Sequence, residues 1–302
     1  MDSTLTDPII SSPLATAYWV LMGFMVGSFL NVVIHRLPTE GESIFKPLRS
    51  RCPKCRTTLA WYENIPVLSW LVLFGRCRTC RSSIHWRYPL VEILTALLFW
   101  AAADSFMGDT AHIAIAVLVL SGLLVATFVD LDCYEIPDEV SLGGCVLAPL
   151  LSFFVPRLHE LDLDRFAALG ECLLGMAVGG GILYFIGWLG TKVYRVDAMG
   201  FGDVKLAAAG GGFIGATGVL YALLVAAILG SLVGLLNMLR LFCELRLRVS
   251  RRHRRDGPLR SLQAARLAGR YIPFGPYLAV GIALSLLGWN DDGALVFQFL
   301  LN

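Results

Sequence analysis

The sequence predicts an all-α integral membrane protein with about eight transmembrane helices and a zinc-binding cytoplasmic loop domain. Hydrophobic residues make up 56% of its 302 residues and charged residues only 16%, whereas soluble domains carry about 25% charged residues. Apolar segments recur along most of the chain, and two cysteine pairs lie in a polar stretch after the first of them. The 30 glycines suit closely packed membrane helices.

Eight apolar segments approach the ~20 residues that a helix needs to cross a bilayer. The sixth segment is short, and its boundary with the seventh is not sharply marked. The segments are Leu14–Ile34, Leu90–Asp104, Ala111–Val129, Val140–Val155, Leu169–Leu189, Val204–Ala216, Val219–Leu241 and Tyr271–Leu287.

The basic residues predict how these segments are oriented. Of the 25 lysines and arginines, ten lie between Arg36 and Arg87 and ten more between Arg240 and Arg270. Loops rich in lysine and arginine stay on the cytoplasmic side, and six crossings separate these two loops, so both can be cytoplasmic. The third segment then ends at the cytoplasmic face near Asp130, and the sixth begins there near Asp203.

The same pattern divides the chain into three parts. Residues 1–35 form the first transmembrane helix, and residues 36–88 form a cytoplasmic zinc-binding domain. Residues 89–302 form the membrane core, with a basic cytoplasmic loop at 242–270. That loop can lie against anionic lipid headgroups, and no nucleic-acid partner is expected.

Two CxxC pairs predict a structural zinc site. Cys52 and Cys55 form one pair, Cys77 and Cys80 the other, and 21 residues separate them. Two such pairs supply four thiolates for tetrahedral zinc and leave no open position for water. Disulfides are the alternative, but a cytoplasmic loop is a reducing environment.

Aspartates at the predicted cytoplasmic face are candidates for catalysis, because ionisable groups at a membrane are costly and often functional. Two neighbouring carboxylates that share a proton can hydrolyse a peptide bond, one activating water and the other polarising the carbonyl. Asp203 lies in a glycine-rich stretch, and Asp130 ends an apolar segment. Asp132 and Asp138 compete for the first role, and helix capping or simple solvation is the alternative for each.

Several stretches together resemble one protein family. They are Gly27-Ser28-Phe29-Leu30-Asn31 at the exit of the first segment, both CxxC pairs, Arg87-Tyr88-Pro89-Leu90-Val91-Glu92, the stretch around Asp130, Gly200-Phe201-Gly202-Asp203 and Ile272-Pro273-Phe274-Gly275-Pro276. In this order and spacing the sequence resembles the bacterial type IV prepilin peptidases, also called leader peptidase/N-methyltransferases.

The resemblance implies a bifunctional enzyme of the bacterial inner membrane. Such an enzyme cleaves the leader from type IV prepilins or type II secretion pseudopilins on the cytoplasmic side. It then methylates the new N-terminal residue with S-adenosylmethionine. The GxGD motif is shared with presenilin-type membrane aspartyl proteases. The family's catalytic aspartates map onto Asp130 and Asp203, which favours Asp130 over Asp132.

The resemblance places the methyl-donor site in the cysteine-containing loop. It points to Gly75, and we add Glu42 and Lys46 in the same loop as further candidates. The alternative for each is a turn residue or a solvated charge. Two other functions stay open at this point: a peptidase without methyltransferase activity, and a non-enzymatic, zinc-stabilised membrane scaffold for pilin assembly.

Overall fold

The computed structural model describes residues 13–39, 41, 43–45, 49–52, 54–159, 164–195, 199–252 and 273–288. Within these residues the chain is mainly helical, and β-pairing is confined to isolated bridges in the loop that contains the cysteines. The helices are α1 (Pro13–Arg36), α2 (Leu68–Val72), α3 (Arg87–Ser105), α4 (Thr110–Cys133), α5 (Asp138–Phe154), α6 (Arg165–Tyr194), α7 (Phe201–Arg252) and α8 (Gly275–Leu286), with 3-10 turns at Trp61–Asn64 and Pro156–His159.

Among the described residues, five helices are long and apolar enough to cross a membrane. They are Leu14–Arg36, Arg87–Ser105, Thr110–Cys133, Arg165–Val193 and Phe201–Cys243. Many large apolar side chains on these helices point outward, Leu21 and Leu118 among them, which is the pattern expected where lipid is the solvent. The protein is therefore a multi-pass membrane protein, as predicted.

Helix α7 reverses its direction at Gly215. The backbone there is not helical, with φ +70° and ψ −178°. A Cβ on Gly179 would lie 2.5 Å from the carbonyl oxygen of Ala207 and 2.7 Å from Cγ2 of Val219. In a straight helix Ala207 and Val219 would lie too far apart for both to contact Gly179, because each residue lengthens the helix by about 1.5 Å. Residues 201–214 and 216–252 are thus two helices that fold back on each other.

With this reversal, each of the eight predicted segments coincides with a helix or with one half of α7 in the described part of the chain. The sixth segment is the half before Gly215, and the seventh is the half after it. The number of membrane crossings, and the side on which each loop lies, remain predictions from hydropathy and charge.

Small residues set the distances between helices. A Cβ on Gly23 or Gly27 would lie only 2.6–2.7 Å from a Cα atom of α3, so α1 can approach α3 closely only through glycine. Gly175 of α6 and Gly211 of α7 approach more closely still, since a Cβ on either would lie within 2.2 Å of the other's carbonyl oxygen. Small-residue contacts of this kind are the usual means of packing helices in membranes.

The predicted zinc-binding domain is built of short elements between α1 and α3. It contains α2, one 3-10 turn and the two β-bridges, Arg51 with Thr58 and Arg76 with Ser83. In the predicted basic loop at 242–270, α7 continues as helix to Arg252, and the rest lies outside the described residues. The three domain boundaries stay predictions.

Candidate active site

Asp130 lies in the last turn of α4. The helix ends where Tyr134 adopts a left-handed conformation, φ +58°, and its N–H donates to the carbonyl of Asp130. The Asp130 side chain is buried, with 5% of the residue exposed. Its Oδ2 accepts a hydrogen bond of 3.0 Å from the backbone N–H of Gly275. That N–H is at the start of α8, where helical N–H groups have no partner within the helix and favour negative charge.

Gly275 can approach Asp130 only because it has no side chain. A Cβ at this position would lie 2.6 Å from Asp130 Oδ2 and 3.2 Å from Ile136 Cδ1. The glycine in the sequence Ile272-Pro273-Phe274-Gly275-Pro276 is therefore a second part of the Asp130 site. The resemblance pointed to this motif, but sequence reasoning gave Gly275 no role.

Asp203 lies in the first turn of α7, where two nearby glycines, Gly200 and Gly202, permit close packing around it. Its N–H donates to the carbonyl of Gly200 at 3.2 Å. A Cβ on Gly200 would lie 3.4 Å from Asp203 Oδ2, and one on Gly202 would lie 3.1 Å from Ile136 Cβ. Gly202 thus lets the start of α7 pack against the segment that follows α4, and Gly200 lies against the Asp203 carboxylate.

The two aspartates line one cleft, which we call the aspartate cleft. It has a volume of about 500 Å³ and includes Asp130, Asp203, the GxG residues, Ile136 and the residues that follow it. The two carboxylates are close enough to interact electrostatically. Leu37 and Pro38, just after α1, also line the cleft. The fold therefore brings together the two residues that sequence predicted as a pair.

Asp132 does not line this cleft. Nη1 of Arg87 contacts both of its carboxylate oxygens at 2.6 Å. The same guanidinium donates to the carbonyl of Phe128 at 3.0 Å and lies 4.8 Å from the Phe128 ring centre. Asp138 lines the rim of the cleft and forms an ion pair with Lys205. Both competing carboxylates thus have basic partners.

The two CxxC pairs adopt the same local fold. In each, the first cysteine donates its N–H to the carbonyl five residues later, Thr57 or Ser82. The residue four positions after that cysteine, Arg56 or Arg81, returns a hydrogen bond and has a positive φ of 57° or 54°. This tight repeated turn directs both cysteines of a pair to one side.

The four sulfur atoms converge as a tetrahedral metal site requires. All lie within 4.8 Å of one another, with Cys52 and Cys80 at 3.8 Å and Cys55 and Cys77 at 4.0 Å. Zinc at about 2.3 Å from four sulfurs gives edges of about 3.8 Å. The backbone N–H of Cys55 donates to the Cys52 sulfur and, with smaller contributions, lowers the pKa of this thiol to about 6. The cluster can hold a metal ion.

Gly75 lies between Trp70 and the second cysteine pair. Its φ is +63°, and a Cβ would lie 3.0 Å from the indole carbon Cζ2 of Trp70. Its N–H donates to the carbonyl of Trp70, and its carbonyl accepts from Ile84. Through these contacts Gly75 connects α2 to the second CxxC pair, so a structural role in the loop accounts for it. The other two methyl-donor candidates, Glu42 and Lys46, lie outside the described residues.

Comparisons with known proteins agree with this architecture. A model described as the bacterial peptidase A24 N-terminal domain matches residues 21–106, and the type IV leader peptidase family model matches residues 117–235. The chain is similar to the prepilin leader peptidase/N-methyltransferase of Aeromonas hydrophila, with 37% identity over 90% of both chains. No solved structure matches it.

Two further relatives carry the same description. The protein of Pseudomonas aeruginosa is 34% identical over 95% of both chains. The protein of Myxococcus xanthus is 42% identical over 75% of this chain and 64% of its own length. The fold, the matches and the acidic cleft define a multi-pass membrane enzyme of the peptidase class. The chain belongs to the type IV leader peptidase family.

Proposed function

We propose that this protein removes the leader from type IV prepilins or type II secretion pseudopilins at the cytoplasmic face of the bacterial inner membrane, with Asp130 and Asp203 as its catalytic pair. It then N-methylates the new N-terminal residue. Family membership supports both activities. The observation that carries the catalytic assignment is the position of both carboxylates in one cleft.

The cleft can perform peptide hydrolysis with its own side chains. One carboxylate takes a proton from a water molecule, which attacks the scissile carbonyl, while the other donates a proton to the carbonyl oxygen. The Gly275 N–H fixes one oxygen of Asp130 and so orients the other. Because both acids line one cleft, we expect them to titrate as a pair and not as two separate residues.

The rim of the cleft suits a substrate with a basic leader and an apolar stem. Glu135, Asp138 and Glu139 line it together with the catalytic pair. Acidic side chains attract a basic leader at the membrane surface. The apolar stem then enters beside α7, where the exposed Phe201 flanks the cleft.

Zinc is the metal that the four cysteines suit best, since a tetrahedral set of thiolates is typical of structural zinc. Few of the described apolar residues in this loop are buried. The bound ion would therefore stabilise a loop that has little hydrophobic core of its own. Cys52, Cys55, Cys77 and Cys80 would hold it. S-adenosylmethionine would supply the methyl group for the second activity.

The proposed function is tested by incubating the purified protein with a prepilin and S-adenosylmethionine labelled in its methyl group. The expected product has lost its leader and gained one labelled methyl group, as measured by mass spectrometry. A product that is shortened but unlabelled would support the peptidase without methyltransferase activity. An unchanged prepilin would support the scaffold and overturn the proposal.

A further inference from the structure

A second cavity lies between the zinc-binding loop and helices α1 and α3, and we call it the loop cavity. Its volume is about 390 Å³, within the range of small-molecule sites. Its wall includes the first cysteine of each CxxC pair, Cys52 and Cys77. It also includes Trp70 of α2 and Tyr88 and Glu92 of α3. Neither Asp130 nor Asp203 does.

Side chains of both charges line the loop cavity. Arg51 and Lys54 line it beside the first CxxC pair, Glu63 lines it from the 3-10 turn at Trp61–Asn64, and Glu92 lines it from α3. Trp70 and Tyr88 add aromatic surface. A ligand with a carboxylate, a cationic group and an aromatic ring could pair its carboxylate with Arg51 or Lys54, its cation with Glu63 and its ring with Trp70, which leaves Glu92 for a second molecule.

Glu92 is the unusual residue of this cavity. It is 8% exposed and belongs to a helix that is long and apolar enough to span the membrane. Its Oε2 accepts a hydrogen bond of 2.7 Å from the backbone N–H of Val67. The close approach of α1 at Gly27, whose Cβ would lie 2.7 Å from the Cα of Glu92, buries it further. A buried acid in such a helix indicates function.

The backbone of Val67 is strained at this contact. Its φ is +60°, a conformation that β-branched residues rarely adopt. Strain of this kind clusters at active sites and ligand clamps. At Val67 it coincides with the hydrogen bond that ties the loop to Glu92.

The loop cavity and the aspartate cleft adjoin at the end of α1. His35 and Arg36 line the loop cavity, and the next two residues, Leu37 and Pro38, line the aspartate cleft. Four consecutive residues at the end of α1 and just after it thus contribute to the two cavities.

The resemblance places the methyl donor in the cysteine-containing loop, and the loop cavity is the site there that could hold it. We propose that Glu92, at this cavity, receives the new N-terminal amine for methylation. This inference rests on the proposed function. The Glu92 carboxylate takes a proton from the ammonium group and leaves a neutral amine. The amine nitrogen forms a bond to the methyl carbon, the carbon–sulfur bond breaks, and its electron pair stays on sulfur. The products are S-adenosylhomocysteine and a methylated ammonium, and the Glu92 proton returns to water.

The experiment uses the purified full-length protein and two variants, Ser69→Trp and Glu92→Gln. Ser69 lines the loop cavity, and a tryptophan there fills it. Glutamine at position 92 keeps an oxygen for the Val67 N–H but lacks the charge. Three quantities are measured: leader cleavage, methylation of the product, and binding of S-adenosylhomocysteine by isothermal titration calorimetry. Ser105→Trp and Asp104→Asn, at the exposed far end of α3, are the matched controls.

We expect Ser69→Trp to weaken S-adenosylhomocysteine binding at least tenfold. We expect Glu92→Gln to bind it within about twofold of the wild type but to methylate at least a hundredfold more slowly at pH 7. The deficit of Glu92→Gln should shrink as the pH rises, because the N-terminal amine, with a pKa of about 7.7–8.0, then loses its proton unaided. Both variants should still cleave the leader.

The outcomes separate the inference from the function on which it rests. If wild-type protein does not cleave prepilin, the proposed function fails. If it cleaves and methylates, but Ser69→Trp binds S-adenosylhomocysteine normally, the donor site is elsewhere. If Glu92→Gln methylates at the wild-type rate, or if its deficit is the same at pH 7 and pH 9, Glu92 does not receive the amine.

Discussion

Nη1 of Arg87 lies 2.6 Å from both carboxylate oxygens of Asp132. This ion pair joins the start of α3 to the end of α4 and points Asp132 away from the aspartate cleft. Asp130, two residues earlier, is instead buried against Gly275 in the cleft with Asp203. The choice between Asp130 and Asp132, which residue chemistry alone left open, therefore has a geometric basis.

Asp132→Asn is predicted to keep leader cleavage within a few-fold of the wild type. The Arg87–Asp132 pair is partly exposed, with 25% and 45% of the two side chains accessible, so its loss should cost no more than about 1 kcal/mol. Cleavage of a prepilin and the unfolding temperature are the two measurements. Loss of cleavage with an unchanged unfolding temperature would place Asp132 in the chemistry.

Gly275→Ala is predicted to reduce leader cleavage at least tenfold. The added Cβ would lie 2.6 Å from Asp130 Oδ2, so the carboxylate must move and lose its hydrogen bond from the backbone. The control is Gly170→Ala in α6, where a Cβ meets nothing within 4 Å and helix propensity favours alanine by about 1 kcal/mol. Equal cleavage by the two variants would show that the Gly275 contact is not needed.

Zinc is predicted to bind with one ion per chain, and Cys52→Ser or Cys77→Ser should remove it. The four sulfurs form one cluster, and losing one ligand leaves an incomplete tetrahedron. Metal content by inductively coupled plasma mass spectrometry is the measurement. Cys133→Ser is the control, since Cys133 is exposed and outside the cluster. Full zinc content in Cys52→Ser would contradict the assignment.

Acidification is predicted to destabilise the loop between α5 and α6 through His159. Burial, with a smaller effect from His112, lowers the pKa of His159 from 6.5 to about 4, and its Nε2 lies 3.0 Å from the Ser152 hydroxyl. The unfolded chain then binds a proton that the folded chain does not, so stability falls as the pH drops from 6.5 towards 4.

The unfolding temperature measured across this pH range tests that prediction. His159→Gln keeps a polar group but cannot titrate, so its unfolding temperature should fall less than that of the wild type. Parallel curves for the two proteins would show that His159 does not contribute.

The sequence predicted those features that depend on local patterns. The turns at the two CxxC pairs could be predicted from the cysteine spacing, because each pair closes its own turn within six residues. The positions of the helices could be predicted from the apolar segments of the sequence. Gly215 was hidden in a run of small residues, so the reversal of α7 was visible only as an ill-defined boundary between two segments.

Contacts between distant residues could not be predicted in this way. The Gly275 N–H reaches Asp130 across 145 positions, and Arg87 reaches Asp132 across 45. Glu92 had no assigned role, since its hydrogen bond to Val67 and its burial depend on how the loop docks on α3. Such contacts depend on packing, which a single sequence does not display.

The most direct test of the catalytic pair is prepilin cleavage by Asp130→Asn and Asp203→Asn, with Asp132→Asn as the matched control, measured by the mass of the product. Asparagine has nearly the same size but cannot exchange a proton as a carboxylate does. We predict that both pair variants leave prepilin uncleaved, at least a thousandfold slower than wild type, while Asp132→Asn cleaves it. Normal cleavage by either Asp130→Asn or Asp203→Asn would contradict the account.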